Sequence, residues 1–429
     1  MIDVRLPELR AHAFEGNFGL EREALRVTGE GRMAHTPHPF PADHPRVVRD
    51  FCENQTEINT RVWPTAEASV AELESLNAEI LREIGGEAAR TASAPYQEYL
   101  WPFSNPPPLE GEDDVIPAKF TGHRAGKSAY RDYLSSKYGR YLMTYCGIHV
   151  NFSFGERLLA ASGADRNALY LHVASESVVW GWIIVALTAA SPLVDVSFLS
   201  RESGSRHIPS DVFTGFASVR CGDLGYWNHF APVNDYSGVK AYADAIRGYV
   251  RRGLIAAPSE LYYPVRLKPR GANRLETLEA EGIDHLELRC VDLNPFAGGL
   301  VDARDIRFVQ LFLLWCAARP PARLAEFVQV QAVRNFKNAA RYDLDIANIT
   351  LPDGASASVR DTGLRLLDSM ARFFADFPRG EAADIIAFER GKLERPESRY
   401  AAQVLERFGG TFAEKGLAHA RKLTEDANV

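Results

Sequence analysis

Acidic and imidazole side chains fall within four separated stretches of this 429-residue chain that otherwise read as β-strand. Glu21 and Glu23 lie in GLEREALRV, Asp50 and Glu57 in DFCENQTEIN, His149 in GIHVNFSF, and Glu287 in HLELRCVDLNPF. A carboxylate on a half-buried strand is costly unless a cation stands opposite it. Hard divalent ions, each taking about six oxygen or nitrogen ligands, are the simplest partners for so many acidic groups. The set therefore predicts a magnesium-dependent enzyme that works on phosphates.

Successive strand residues point to opposite faces. In IHVNFSF, His149, Asn151 and Ser153 oppose Ile148, Val150 and Phe152. Glu287 and Arg289 share a face, as do Arg266 and Lys268 in YPVRLKP, Glu21 and Glu23, and Gln55, Glu57 and Asn59. Several strands with one polar face and one apolar face predict an α+β fold: an antiparallel sheet with its chemistry on one side and helices covering the other. Asp50 stands at an odd offset from Glu57, so it reaches the same face only from a bend before the strand. Phe51 then lies at the mouth of the site.

Val70, Leu73, Leu76, Ile80 and Ile84 recur at helical spacing behind a Thr65 cap, and Gly85-Gly86 ends the run. Asn167 to Ala190, Asp305 to Ala318, Val359 to Phe377, Ala382 to Glu394 and Glu397 to Phe408 read as further helices, with a final short one after Gly409-Gly410. The apolar run Val178 to Ala190 is too short to cross a bilayer and reads as buried helix. Pro-rich Ser104 to Pro117 and Ser200 to Asp211 read as surface loops. With 46% hydrophobic residues the chain can fill a large core. A formal net charge of -7 disfavours a nucleic-acid partner, so an anionic substrate must be met by local arginines. Five cysteines without CxxC spacing, and a start without a secretion signal, point to reduced thiols in the cytoplasm.

Glu21 and Glu23, two apart, can serve different ions in one row, and His149 softens the site slightly toward manganese. Arg289 beside Glu287 can hold a phosphoryl oxygen. Arg131, Arg140 and Arg220 are further candidates for phosphate or carboxylate contact. Each element has a bland reading: a Glu-x-Glu strand is usually solvated, a lone strand histidine is usually structural, Arg266 and Lys268 are commonly surface charges, Cys290 reads as a small core residue, and Tyr130 and Tyr226 read as half-buried aromatics. No Walker-type glycine loop or GxGxxG unit is present. The combination carries the argument.

In order along the chain, GLEREALRV, DFCENQTEIN, WPFSNPP, YRDYLSSKYG, GIHVNFS, DLGYWN, ELYYPVRLKP and GIDHLELRCVDLNPF resemble bacterial glutamate–cysteine ligases of the glutamine synthetase superfamily, over roughly residues 16 to 320. The resemblance implies a curved, mostly antiparallel sheet forming a funnel with helices outside; residues 1–429 are expected to form one catalytic domain, with a core over about 16–320 and a C-terminal part over about 321–429 that the helical pattern marks. It implies ATP-dependent joining of the γ-carboxylate of L-glutamate to the amine of L-cysteine through a γ-glutamyl phosphate, the first step of glutathione synthesis. Three magnesium ions are implied along the sheet: Glu21, His149 and Glu287 hold one, Glu23, Asp50 and Glu57 another, and a third shares these ligands. Arg289 is implied at the transferring phosphoryl group, and Arg266 and Lys268 near the polyphosphate. Phe51, Tyr130 and Tyr226 match positions lining the cysteine pocket, and Arg131 and Arg220 positions near the substrate carboxylates.

The chain is shorter than the usual single-function enzyme, the region after about residue 330 aligns poorly, and no second ligase domain is present, so the reaction is expected to stop at the dipeptide. NQTEIN is more polar than the family's usual residues there, which leaves a γ-glutamyl ligase with a different amine acceptor as the alternative. A non-catalytic nucleotide- or metal-binding relative is the alternative of another class. Small molecules are the expected partners, with no nucleic acid or membrane, for a monomer or small homo-oligomer.

Overall fold

A computed structural model describes residues 2–3, 6–85, 97–120, 122, 125–200, 210–321, 324–377 and 381–427. The strands in chain order are β1 (Gly16–Thr28), β2 (Val47–Arg49), β3 (Gln55–Asn59), β4 (Glu98–Trp101), β5 (Ile148–Phe154), β6 (Leu193–Asp195), β7 (Asp211–Phe213), β8 (Val265–Lys268), β9 (His285–Val291), β10 (Asn348–Thr350) and β11 (Ser356–Ser358). Seven of them form an open sheet in the order β2-β3-β1-β5-β9-β8, with β4 also paired to β1. Every pairing in it is antiparallel. β6–β7 and β10–β11 are separate ribbons.

The two-residue period sorts the faces as expected. Phe18, Leu20, Ile148, Val150, Phe152, Leu286 and Leu288 are fully buried on the apolar side, beneath helices that include Ala66–Gly85 and Arg166–Trp180. Phe18 and Phe152 meet edge to face across β1 and β5, with centroids 5.2 Å apart. That face also carries a charge: Arg22 is completely buried, and its Nη2 donates to Asn77 Oδ1 of the helix at 2.6 Å. Burial pulls its pKa down to about 10.

Helix Ala66–Gly85 begins where Thr65 Oγ1 accepts the Ala68 N–H at 3.2 Å. The helix expected over Asn167 to Ala190 is two, Arg166–Trp180 and Trp182–Thr188, bent by 57°. Gly181 is the break: a Cβ there would lie 2.4 Å from the Ser177 carbonyl oxygen. Trp182–Thr188 is buried along its length, as its composition requires. Among the described residues no single helix is long and apolar enough to cross a membrane.

Two loop expectations fare differently. The Pro-rich stretch is irregular but largely buried, not a surface loop; Ser104 and Asn105 are wholly inaccessible. Prolines have no N–H to satisfy. Much of the remaining polarity is bonded internally: Asn105 Nδ2 donates to the carbonyls of Ser191 and Leu193 at 3.0 and 2.6 Å, and Leu109 N–H to Ser197 Oγ at 2.9 Å. The second stretch, Ser200 to Asp211, lies mostly outside the described residues. The last helix is not short. It runs Phe412–Ala427, packs Phe412 against Trp101 of β4, and brings Gly416 so close to the indole that a Cβ would lie 2.5 Å from it.

The helices after β9 bury a charge cluster. Lys392 Nζ lies 2.6 Å from Asp305 Oδ1 and 2.8 Å from Glu389 Oε2, and all three residues are inaccessible. Removing one member strands the others. Lys392→Met is expected to lower the unfolding free energy by about 3–5 kcal/mol, read as a lower urea midpoint at unchanged slope. Burial also depresses the His38 pKa to about 4, well below its ordinary 6.5. The folded state thus holds this imidazole neutral, and stability is lost as pH falls from 6.5 toward 4, by at most about 3 kcal/mol. His38→Leu should flatten the fall in urea midpoint over that window.

Candidate active site

One cavity of about 350 Å³ opens on the polar face of the sheet. Glu21, Glu23, Asp50, Glu57, His149 and Glu287 all line it, as do Arg131, Arg220, Arg266, Lys268, Arg289, Phe51, Tyr130 and Tyr226. Strand pairing brings them together: Glu21 is opposite His149, Glu23 opposite Glu57, and Glu287 opposite Arg266. Asp50 sits on the turn after β2, as its odd offset required, and Gln55 Oε1 accepts the Phe51 N–H at 3.2 Å to fix that turn.

Arg140 is the exception. Its guanidinium turns to the Glu112 carbonyl and the Asp113 carboxylate, at 3.2 and 3.1 Å, away from the cavity. Arg140 follows the Gly139 bend that ends helix Gly126–Tyr138, so helical spacing could not place it. Cys290 is buried in the core, as expected, and also lines the cavity. Between the pairs Ile148↔Val291 and Val150↔Leu288, β9 has one residue more than β5. This β-bulge sends both Arg289 and Cys290 to the cavity side. Gln55 and Thr56 do not line it; Gln55 is buried beneath Phe51, and Thr56 Oγ1 donates to the Ala24 carbonyl at 3.1 Å. Residues that the sequence reading missed include Tyr145, Trp227, Tyr262 and Tyr263 in the walls. The paired tyrosines of ELYYPVRLKP were the available signal.

The charges divide into two groups. Glu21, His149 and Glu287 bring one ligand atom each within 4.8 Å of one another. His149 Nδ1 is 3.0 Å from Glu21 Oε2. Arg289 Nη1, a donor, lies 3.4 Å from the same nitrogen, so the closer contact to Glu21 is the hydrogen bond in the tautomer protonated at Nδ1, which leaves the Nε2 lone pair free. Burial would raise the Glu287 pKa, but Arg289, Lys268 and Arg266, at 3.3, 3.1 and 3.8 Å, outweigh it and hold the carboxyl well below its usual range. Burial would raise Glu21 too, but the His149 hydrogen bond prevails and lowers it.

Glu23, Asp50 and Glu57 are the second group. Burial, then the Asp50 charge, push Glu23 up to about 8, although Arg289 and Arg220 oppose it. Burial and the neighbouring Asp50, Glu21 and Glu23 charges push Glu57 well above its usual value. Such crowding is what a cation relieves. Glu287 Oε2 is also buried without a hydrogen-bond partner. Five carboxylates and one imidazole fit a hard divalent ion such as magnesium or manganese.

Two arginines spend donors on backbone. Arg131 Nε donates to the Asp50 and Phe51 carbonyls at 2.7 and 3.1 Å, bracing the turn. Arg220 Nη1 donates to the Arg289 carbonyl at 3.0 Å and Nε to Asp292 Oδ1 at 3.2 Å.

Fold and site define a class: antiparallel-sheet proteins whose polar face sets clustered carboxylates against arginine and lysine. The chain belongs to the glutamate–cysteine ligase family, whose sequence profile matches residues 7–254 and 231–339. It is 32% identical over 419 residues to a glutathione biosynthesis bifunctional protein of Listeria monocytogenes, covering 93% of this chain and 53% of the relative. It is 33% identical over 443 residues to the corresponding protein of Listeria welshimeri, covering 98% and 55%. The chain thus spans about half the length of these curated relatives, and the likeness extends past residue 320. Among solved structures, a glutamate–cysteine ligase of Francisella tularensis in complex with AMP superposes with a TM-score of 0.84 at 22% identity, covering 96% of this chain and 89% of that one. A bifunctional glutathione synthetase of Pasteurella multocida gives 0.81 at 23%, covering 99% and 54%. Both share the fold, as expected from the strand pattern.

Carboxylate crowding has a measurable cost. Glu57→Gln should raise the melting temperature of the metal-free protein, by the equivalent of about 1 kcal/mol, and shrink the further rise produced by saturating magnesium. A lower metal-free melting temperature would contradict the crowding.

Proposed function

We propose that this chain is a cytoplasmic, ATP- and magnesium-dependent ligase that joins the γ-carboxylate of L-glutamate to the amine of L-cysteine in one catalytic unit. The observation that carries this reading is one cavity whose lining brings six metal-capable groups together with Arg266, Lys268, Arg289 and an aromatic wall. Family membership supports the reaction, and the AMP in the Francisella complex supports a nucleotide site.

In this reading Glu21, His149 and Glu287 hold one magnesium ion, Glu23, Asp50 and Glu57 hold another, and a third shares these ligands. The bound ions supply neutralisation of phosphate charge. Arg266 and Lys268 hold the polyphosphate of ATP, and Arg289 meets the phosphoryl group as it passes to the glutamate γ-carboxylate. A second cavity of about 350 Å³ shares Glu21, Lys268 and Asn273 with the first and is lined by Asn17, Asn151, Ser153 and His285, which suits the nucleoside. The amine of cysteine then attacks the acyl carbon, the new amide bond forms, and phosphate leaves. Phe51, Tyr130 and Tyr226 supply a soft wall for the thiol. Arg131 and Arg220 line the same cavity and serve the amino-acid carboxylate, each with N–H groups beyond those already bonded. The chain's own work is positioning and charge stabilisation, without a covalent enzyme intermediate. Gln55 and Thr56 lie off the cavity surface, which removes the polar feature that favoured another acceptor.

Purified protein with ATP, magnesium, glutamate and cysteine should release phosphate and yield γ-glutamylcysteine by mass detection. Arg289→Ala should lower kcat by roughly 10²–10³-fold and Glu287→Ala should abolish turnover, whereas Cys290→Ser keeps most of it. Turnover with other amines but not cysteine would overturn the acceptor assignment.

A further inference from the structure

The β9 bulge that presents Arg289 to the cavity is held from behind by one buried network. Arg220 donates to the carbonyls of Arg289 and Val291, the two that flank Cys290, at 3.0 and 2.5 Å. Its guanidinium lies so close to Gly147 that a Cβ there would meet it at 2.6 Å, and the Gly147 carbonyl in turn accepts the Glu23 N–H at 3.1 Å. Asp292, 2% exposed, sets the direction of this guanidinium. Its Oδ1 accepts from Arg220 Nε at 3.2 Å and Ser218 Oγ at 3.0 Å. Its Oδ2 accepts from Ser191 Oγ at 2.6 Å and the Ala190 N–H at 3.0 Å. The Arg289 N–H is separately tied to the Pro264 carbonyl at 2.9 Å.

A bulge lacks one pair of ladder bonds and depends on other groups to fix its side-chain directions. Here those groups are Arg220 and, through it, Asp292. All four partners of Asp292 donate, so the site requires two accepting oxygens; an asparagine offers one and turns an N–H₂ toward a donor.

We propose that Asp292 is a positioning residue for phosphoryl transfer: through Arg220 it locks the β9 bulge and so aims Arg289. This rests on the ligase reading above. It gives Arg220 a bracing task separate from any contact with substrate. Misplacing Arg289 by about an ångström then costs rate, on the order of 100-fold, while the seats of the amino acids are retained.

The test is Asp292→Asn, with Asp292→Glu as the variant that restores both oxygens. Steady-state kinetics is paired with amide hydrogen exchange on the magnesium-loaded protein. The expected result is a kcat lowered by roughly 10–100-fold, KM for glutamate and cysteine raised by a much smaller factor, partial recovery in Asp292→Glu, and faster exchange confined to residues 286–293. A kcat near wild type overturns the proposal. So does a raised KM for cysteine at unchanged kcat, which would make Arg220 a direct substrate contact only. Exchange accelerated equally in β1 would show a merely structural role and overturn it as well. Should the wild-type protein form no ADP with any amine, the ligase reading fails by itself, and local exchange still decides whether Asp292 holds the bulge.

Discussion

Repulsion among clustered carboxylates is the constraint around which this protein is organised. Two like charges about 4 Å apart at an effective dielectric of 20 cost about 4 kcal/mol, and here Glu21, Glu23, Asp50, Glu57 and Glu287 share one cavity. The fold answers part of that cost internally. Lys268 and Arg289 stand 3.1 and 3.3 Å from Glu287, and His149 stands 3.0 Å from Glu21. It leaves the rest unanswered around Glu23 and Glu57, whose protons are held more tightly as a result. A site that is stable only with protons or cations in place is suited to hold a metal-bridged polyanion.

The sheet makes this crowding possible. Antiparallel neighbours set residues from distant parts of the sequence side by side, so Glu21 meets His149 and Glu287 meets Arg266 with no loop between them. The apolar faces of the same strands bury Phe18, Val150 and Leu288 and keep the backbone rigid. Rigidity matters because charge stabilisation works through groups already in place. Where regular alternation would not suffice, the chain departs from it: the Asp50 turn delivers a carboxylate from outside β3, and the β9 bulge brings Arg289 and Cys290 to one side.

Legibility followed periodicity. Glu21, Glu23, Glu57, His149 and Glu287 could be assigned to one face because a strand repeats every two residues, and the bend at Asp50 followed from its offset. Features without a period were not readable. The Ile148/Val150 register shift leaves no mark in HLELRCVDL, so the cavity side of the buried Cys290 is not legible there. Arg140 looked equivalent to Arg131 in YRDYLSSKYGR, yet the bend at Gly139 turned it away. The prolines after Ser104 suggested an exposed loop, whereas lacking N–H groups they were easy to bury. Gly181 split an apolar run that composition alone joined. Asp292 and the wall tyrosines depend on loops whose paths only the tertiary structure fixes.

The most direct measurement is a titration of the wild-type protein with Mn²⁺, followed by electron paramagnetic resonance, in the presence of a non-hydrolysable ATP analogue. The account predicts saturable binding of more than one ion per chain, tightened by the nucleotide. Absence of saturable binding, with or without the nucleotide, would contradict it.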